Sequence, residues 1–317
     1  MVQTGNGNLE PGSYDTPVPS IAIFCVWFGP WPGWIDFTLE SMKANHSIDW
    51  IIITGNAPPA KPCPNVRFQQ VSLQSYLSFV TSRLGVEPTI DNNNNDVCKL
   101  KAALGHIHEE DINGYDFFGF SDLDIIFGDI RNFYTPALLS KYQMLTTHND
   151  LVAGHFTMMR NTPQLRTAFM KIPNWRKLMQ KPGASVNIEE WHLARVFGVL
   201  ARQPAWHSWL YRLRNTYIRG ALFEERYSTI LTPMKWHDGR RDHPESWFWK
   251  DGHLSNDRHP NREYLYLHFM NWKSDRWLQY AGLTPPCAWS RLDKLIHIGK
   301  GEEANGFRIS PAGFTAL

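Results

Sequence analysis

Two hydrophobic patterns alternate along the first half of the chain. Ser20–Phe28 (SIAIFCVWF) and Asp49–Thr54 (DWIIIT) are nearly unbroken apolar runs. Such runs lack the polar alternation of a half-exposed strand and predict strands buried on both faces. Between them, Trp34–Asn45 places Trp34, Phe37, Leu39 and Met42 at helical spacing. Gly29-Pro30 and Gly55-Asn56 close the two strands. Strand, helix and strand within about thirty-five residues make a βαβ unit, the building block of a parallel sheet.

The pattern continues with a short strand at Val66–Phe68. An amphipathic helix follows over Ser72–Leu84, with Ser72 as its cap and Leu73, Tyr76, Leu77, Val80 and Leu84 on one face. A polar loop, Asp91–Asp96, leads into a predicted helix over Val97–Glu109. The aromatic run Tyr115–Phe120, next to Gly114 and containing Gly119, predicts another buried strand. Later elements are a helix at Pro136–Tyr142, strands at Gln143–Thr147 and Gly154–Asn161, a helix at Gln164–Leu178, and a helix opening at Asn187-Ile188-Glu189-Glu190 and running to Leu200. Residues 201–240 are rich in Trp and Arg and weakly periodic. Ser246–Leu254 carries an Asp251-Gly252 hairpin signal between aromatic flanks, and Glu263–Leu267 alternates as a strand. The fold class is therefore α/β, a Rossmann-like, mostly parallel central sheet flanked by helices, with a helical and aromatic-rich subdomain. The expected organisation is a flexible arm at 1–19, a nucleotide-binding half at 20–150, a site-completing half at 151–290 and a tail at 291–317.

The candidate chemistry begins where the aromatic strand runs into acid, at Ser121-Asp122-Leu123-Asp124. On an extended backbone, side chains two apart share a face, so both carboxylates project together while Leu123 points into the core. Like charges held together repel unless a cation lies between them. Mg²⁺ or Mn²⁺ suits such a pair, and Mg²⁺ keeps open positions for water and phosphate oxygens. A chance Asp-X-Asp in a solvated loop is the ordinary alternative, and the buried strand leading into this one argues against it.

Ligands on parallel sheets sit at the carboxyl ends of the strands. Phe28 and Thr54 are accordingly candidates to wall a nucleotide pocket, although either could simply form a turn. Lys99 and Lys101 read either as a solvated helix face or as phosphate contacts. Gly154 would let a ligand approach closely, and His155 could touch substrate or serve as a bonded core histidine. Glu189 and Glu190 stabilise a helix start or, in a pocket, offer a general base. His268 and Lys273, five apart at a late strand end, could supply a third metal ligand and a phosphate-neutralising ammonium. There is no glycine-rich phosphate loop of the dinucleotide or P-loop type, which weakens dehydrogenase and NTPase readings.

Charge and composition narrow the picture further. Lys and Arg total 32 against 30 Asp and Glu, a balance that argues against a nucleic-acid binder. The 14 Trp residues would suit sugar stacking, though most aromatics are core. Cys25, Cys63, Cys98 and Cys287 lack metal-finger spacing, and buried thiols in a reducing compartment are expected. Residues 1–19 do not read as a secretory leader and no apolar run is long enough to cross a bilayer, so the expectation is a cytoplasmic enzyme, with peripheral contact at the inner membrane face.

Over residues 20–275 the chain resembles the GT-A type, nucleotide-sugar-dependent glycosyltransferases, and within them a bacterial family of polysaccharide-building transferases. The resemblance is carried by Tyr115–Ile130, Gly154–Thr157, Arg160-Asn161, Trp249–Gly252 and His268–Lys273. It implies a GT-A-like fold, a nucleoside diphosphate sugar donor, a glycan or glycolipid acceptor, and Mn²⁺ or Mg²⁺ held by Asp122, Asp124 and His268. Asp122, Lys101 and Lys273 would meet the diphosphate, with Phe28 and Thr54 at the nucleotide. Gly154, His155, Trp249 and Asp251 would meet substrate, and Glu189 and Glu190 would face the acceptor, weakly favouring inversion. One departure stands out: where that family carries an Asp-aromatic-Lys-Pro element, this chain has Lys99-Leu100-Lys101-Ala102, so only Lys101 and Gly105 keep the pattern. A metal-dependent phosphoryl or nucleotidyl transferase, and a carbohydrate-binding protein without turnover, are the alternatives.

Overall fold

The computed structural model describes residues 18–59, 63–91, 94–147, 151–183, 188–198, 244–268, 296–299, 301–310 and 312–317. Its centre is a six-stranded sheet of β1 (Ile21–Trp27), β2 (Asp49–Thr54), β3 (Val66–Gln70), β4 (Phe117–Ser121), β6 (Met144–Thr146) and β7 (Phe156–Arg160), in the order β3-β2-β1-β4-β7-β6. β1 pairs parallel with β2 and β4, and β2 pairs parallel with β3. β7 runs antiparallel to both β4 and β6, so it alone is reversed. The fold is mixed α/β, with a mostly parallel sheet flanked by helices, as the βαβ pattern predicts.

Successive residues of each central strand enter opposite cores. Ala22, Phe24, Ile51, Ile53, Phe118 and Phe120 pack on one face, and Ile21, Ile23, Cys25, Trp50, Ile52 and Phe117 on the other. This is why the strands read as unbroken apolar runs: a period of two with both sides buried leaves no polar position. Helix α1 (Ile35–Ala44) covers one face and α2 (Leu73–Leu84) the other. The Ser72 hydroxyl caps α2 by accepting the Ser75 N–H, and Gly85 ends it in the left-handed region at φ 65°.

A second, four-stranded sheet joins β8 (Trp247–Lys250), β9 (His253–Asn256), β11 (Phe307–Ser310) and β12 (Gly313–Ala316). Asp251 (φ 50°) and Gly252 (φ 83°) form the turn expected between β8 and β9. The stretch expected as a tail thus supplies two strands. β7, from the other side of residue 150, lies inside the central sheet, and β5 (Ile125–Phe127) pairs antiparallel with β10 (Tyr266–His268), so strands cross between the two expected halves.

Three expected helices take other forms. Val97–Glu109 is a broken series: an α-turn at Asn94–Val97, a 3-10 segment at Cys98–Ala103 and another α-turn at Leu104–Ile107. Leu100–Gly105 is wholly buried, so packing on all sides replaces the amphipathic stripe that would hold a surface helix. Gln164–Leu178 divides at Pro173, after which Asn174 adopts φ 56° before Trp175–Met179 resumes. The helix expected to reach Leu200 begins as a π-helical turn, Ile188–His192, followed by Leu193–Val196. Residues 201–240 lie outside the described residues.

Candidate active site

β4 delivers Asp122 to the carboxyl end of the central sheet, where its backbone N–H donates to the His155 carbonyl at 3.0 Å. The intervening Leu123 is buried, and its carbonyl accepts both the Trp34 indole N–H and the Thr38 hydroxyl at 3.0 Å. These two bonds from α1 and the residue before it fix the acidic loop. Asp124 then leads into β5, whose antiparallel pairing sets His268 opposite Ile125. Strand pairing, not chain proximity, therefore brings the His268 Nε2 to 3.7 Å from the Asp124 Oδ1. Asp122, Asp124 and His268 each offer a ligand atom within 4.8 Å of the others. Two carboxylates and one imidazole suit Mn²⁺ better than Mg²⁺, which takes imidazole less readily.

Behind His268 lies a second layer. The His155 ring stacks on the His268 ring with centroids 4.1 Å apart. Tyr266 donates its hydroxyl proton to the Thr147 Oγ1 at 2.7 Å, so the His155 Nε2, at 2.7 Å from the Tyr266 oxygen, is the donor in that contact. His155 is buried and packs behind His268 as a core histidine.

Lys101 is the cationic centre of the site. Its ammonium donates to the Asp122 Oδ1 and, at 2.8 Å, to the Gly154 carbonyl, and the residue is buried. Burial alone would lower its pKa, but Asp122 and further groups including Glu189 outweigh this and hold it well above the ordinary lysine value. The π-helical turn, a form frequent at functional sites, presents the acidic pair. Glu189 is buried, its Oε2 lacks a hydrogen-bond partner among the described residues, and burial pushes its carboxyl up to about 7, against the pull of Lys101. Glu190 is more accessible, is raised by burial, and accepts the Gly154 backbone N–H. A Cβ on Gly154 would stand 2.8 Å from the Glu190 Oε1, so glycine is what admits that carboxylate. The site therefore assembles Lys101, Asp122, Asp124, Gly154, Glu189, Glu190 and His268.

The other expected residues lie apart. Phe28 stacks on Tyr76 with centroids 5.3 Å apart, while the buried Thr54 hydroxyl accepts the Asn56 N–H at 3.1 Å. Asn56 ties the two loops together by donating to the Gly29 carbonyl at 2.6 Å. Lys99 is neither solvated nor open to a phosphate: its ammonium donates to the carbonyls of Thr89 and Lys181. Trp249 is buried in the second sheet, where its ring stacks on Phe307 and its N–H donates to the Phe127 carbonyl. It has no exposed face for a sugar. Asp251 lines a hollow with Asn45, Ser47, Asp129 and Arg131 at the amino ends of the parallel strands, opposite Asp122. Lys273 lies outside the described residues. Trp34, Thr38 and Tyr266 are the supporting residues that sequence reasoning missed. Their apolar surroundings mark them only as core.

Residues 23–281 match the sequence profile of a family described as a family of unknown function, DUF6625. The chain belongs to this family. No curated protein matches this DUF6625 member. Its structure overlaps, at 10% identity and TM-score 0.36, that of the galactosyltransferase LgtC in complex with donor and acceptor sugar analogues, covering 82% of this chain and 95% of that one. Mouse xyloside xylosyltransferase 1 overlaps at 10% identity and TM-score 0.34, covering 66% and 86% of the two chains. The glycosyltransferase GlyE of Streptococcus pneumoniae TIGR4 overlaps at 11% identity and TM-score 0.39, covering 87% and 62%.

Proposed function

We propose that the chain is a metal-dependent glycosyltransferase of GT-A type, moving a sugar from a nucleoside diphosphate sugar to an acceptor hydroxyl in bacterial surface polysaccharide or glycoconjugate synthesis. The observation that carries this reading is the convergence of Asp122, Asp124 and His268 at the carboxyl end of a buried strand, with the Lys101 ammonium against it. The motif resemblance at Tyr115–Ile130 and His268–Lys273 supports the choice of donor.

In this reading Asp122, Asp124 and His268 would hold Mn²⁺ or Mg²⁺ where the donor diphosphate binds. The bound ion would supply electrostatic stabilisation of charge on the departing diphosphate. Lys101, kept charged by its carboxylate neighbours, adds positive charge to the site, and Lys273 is assigned to the leaving phosphate. Phe28 and the loop after Thr54 stand on the nucleotide side. Glu190, the more accessible of the acidic pair, is the candidate base that takes the proton of the acceptor hydroxyl, and direct attack then inverts the anomeric configuration. Among the described residues no helix is long and apolar enough to cross a membrane, and Cys25 is a buried free thiol. The proposed place of work is the cytoplasmic face, where a glycolipid acceptor would be met peripherally.

The test is a panel of labelled nucleotide sugars with Mn²⁺ and candidate glycan acceptors. Sugar transfer that EDTA abolishes is expected. Transfer of a phosphoryl or nucleotidyl group instead, or glycan binding that neither turns over nor responds to EDTA, would overturn the assignment.

A further inference from the structure

The ammonium of Lys101 occupies the Oδ1 of Asp122, one of the three groups that converge for a cation. A carboxylate oxygen that accepts a charged hydrogen bond is a poorer ligand, and a dication entering beside a buried ammonium is repelled by it. Lys101 and the ion therefore compete for the same neighbourhood. A vacated ammonium needs a new partner, because a buried charge without one is costly. The same site contains a buried carboxylate oxygen in the complementary condition. The Oε2 of Glu189 has no hydrogen-bond partner among the described residues, and Glu189 already interacts electrostatically with Lys101. The 3-10 segment carrying Lys101 packs directly against the π-helical turn carrying Glu189.

We propose that Lys101 is a two-position residue: it holds Asp122 in the metal-free protein, and a divalent ion bound at Asp122, Asp124 and His268 moves it onto the Oε2 of Glu189. This rests on the metal-dependent reading above and adds a role for the buried member of the acidic pair. Glu189 is the landing site for the displaced lysine, a positioning residue, which leaves Glu190 to face the acceptor. The Gly154 carbonyl serves as the pivot, accepting from Lys101 in both positions.

The test is Mn²⁺ binding to the full chain, followed by the electron paramagnetic resonance signal of the free ion, without substrate or turnover. Lys101→Met removes the competitor and should tighten binding about tenfold, the equivalent of one charge-assisted hydrogen bond. Lys101→Gln, which keeps a donor for Gly154 and guards against misfolding, should shift binding in the same direction. Glu189→Gln should weaken Mn²⁺ binding several-fold in the wild-type background and leave it unchanged in the Lys101→Met background, a coupling that a merely structural role for Glu189 would not produce. Mn²⁺ binding that needs Asp124 but is unchanged or weakened by both Lys101 variants overturns the two-position inference alone. Failure of wild type and both variants to bind Mn²⁺ overturns the metal reading, and the inference with it.

Discussion

The carboxyl end of the central sheet and the core of the four-stranded sheet are both buried, yet they are filled in opposite ways. At the first, Asp124, Lys101, Glu189 and His268 bring ionisable groups out of water. At the second, Trp247, Trp249, Phe307, Phe314 and Phe37 pack into one cluster with almost no titratable group among them. Aromatic burial stabilises a fold, while concentrated buried charge works against it and persists where it does something else. The contrast separates residues that hold this molecule together from those that equip it.

The sharpest way to break that division is Trp249→Ala. Removing a fully buried, stacked indole should cost about 3–5 kcal/mol in a denaturation experiment, while donor binding by the folded fraction stays unchanged. Weakened donor binding with stability intact would restore the substrate role expected from the sequence.

Glu189 offers the opposite behaviour. Burial raises its carboxyl from 4.5 to about 7. The folded chain therefore holds a proton that the unfolded chain releases across that window. Stability from this group falls as pH rises from about 4.5 to 7, and the full penalty stands above 7. Glu189→Gln should thus be more stable than wild type by up to about 3 kcal/mol at pH 8 and equal to it at pH 4, as read from paired urea titrations. A variant less stable than wild type at pH 8 would show that the carboxylate is a structural asset.

A smaller effect is expected at the hairpin. Asp251 sits at φ 50°, where aspartate is tolerated better than most residues. Asp251→Ala should cost about 1 kcal/mol in thermal unfolding and leave sugar-nucleotide binding alone. A loss of binding would move the site to the other end of the sheet.

The parts of this division that were legible in the sequence are those governed by local rules. Unbroken apolar runs marked β1, β2 and β4, Ser72 marked a cap, Asp251-Gly252 marked a turn, and the strand-to-acid transition marked Asp122 and Asp124. What was hidden depends on pairing between distant segments. Trp249 looks the same in sequence whether its ring faces sugar or Phe307. Lys99 and Lys101 look solvated until Thr89, Lys181, Gly154 and Asp122 close around them. Trp34 and Thr38 read as ordinary members of a helical stripe, and only the folded chain reveals the Leu123 carbonyl between them. The broken helices escaped for a related reason: a segment buried all round loses the stripe from which helices are recognised.

The central claim is that buried charge at the sheet's carboxyl end exists to hold a divalent ion. Mn²⁺ titrated into wild type and into Asp122→Asn/Asp124→Asn, with a nucleoside diphosphate present and folding checked by near-ultraviolet circular dichroism, tests it most directly. One saturable site in wild type that vanishes in the folded double variant is the predicted result. Equal binding by the two proteins, or none by wild type, would contradict it.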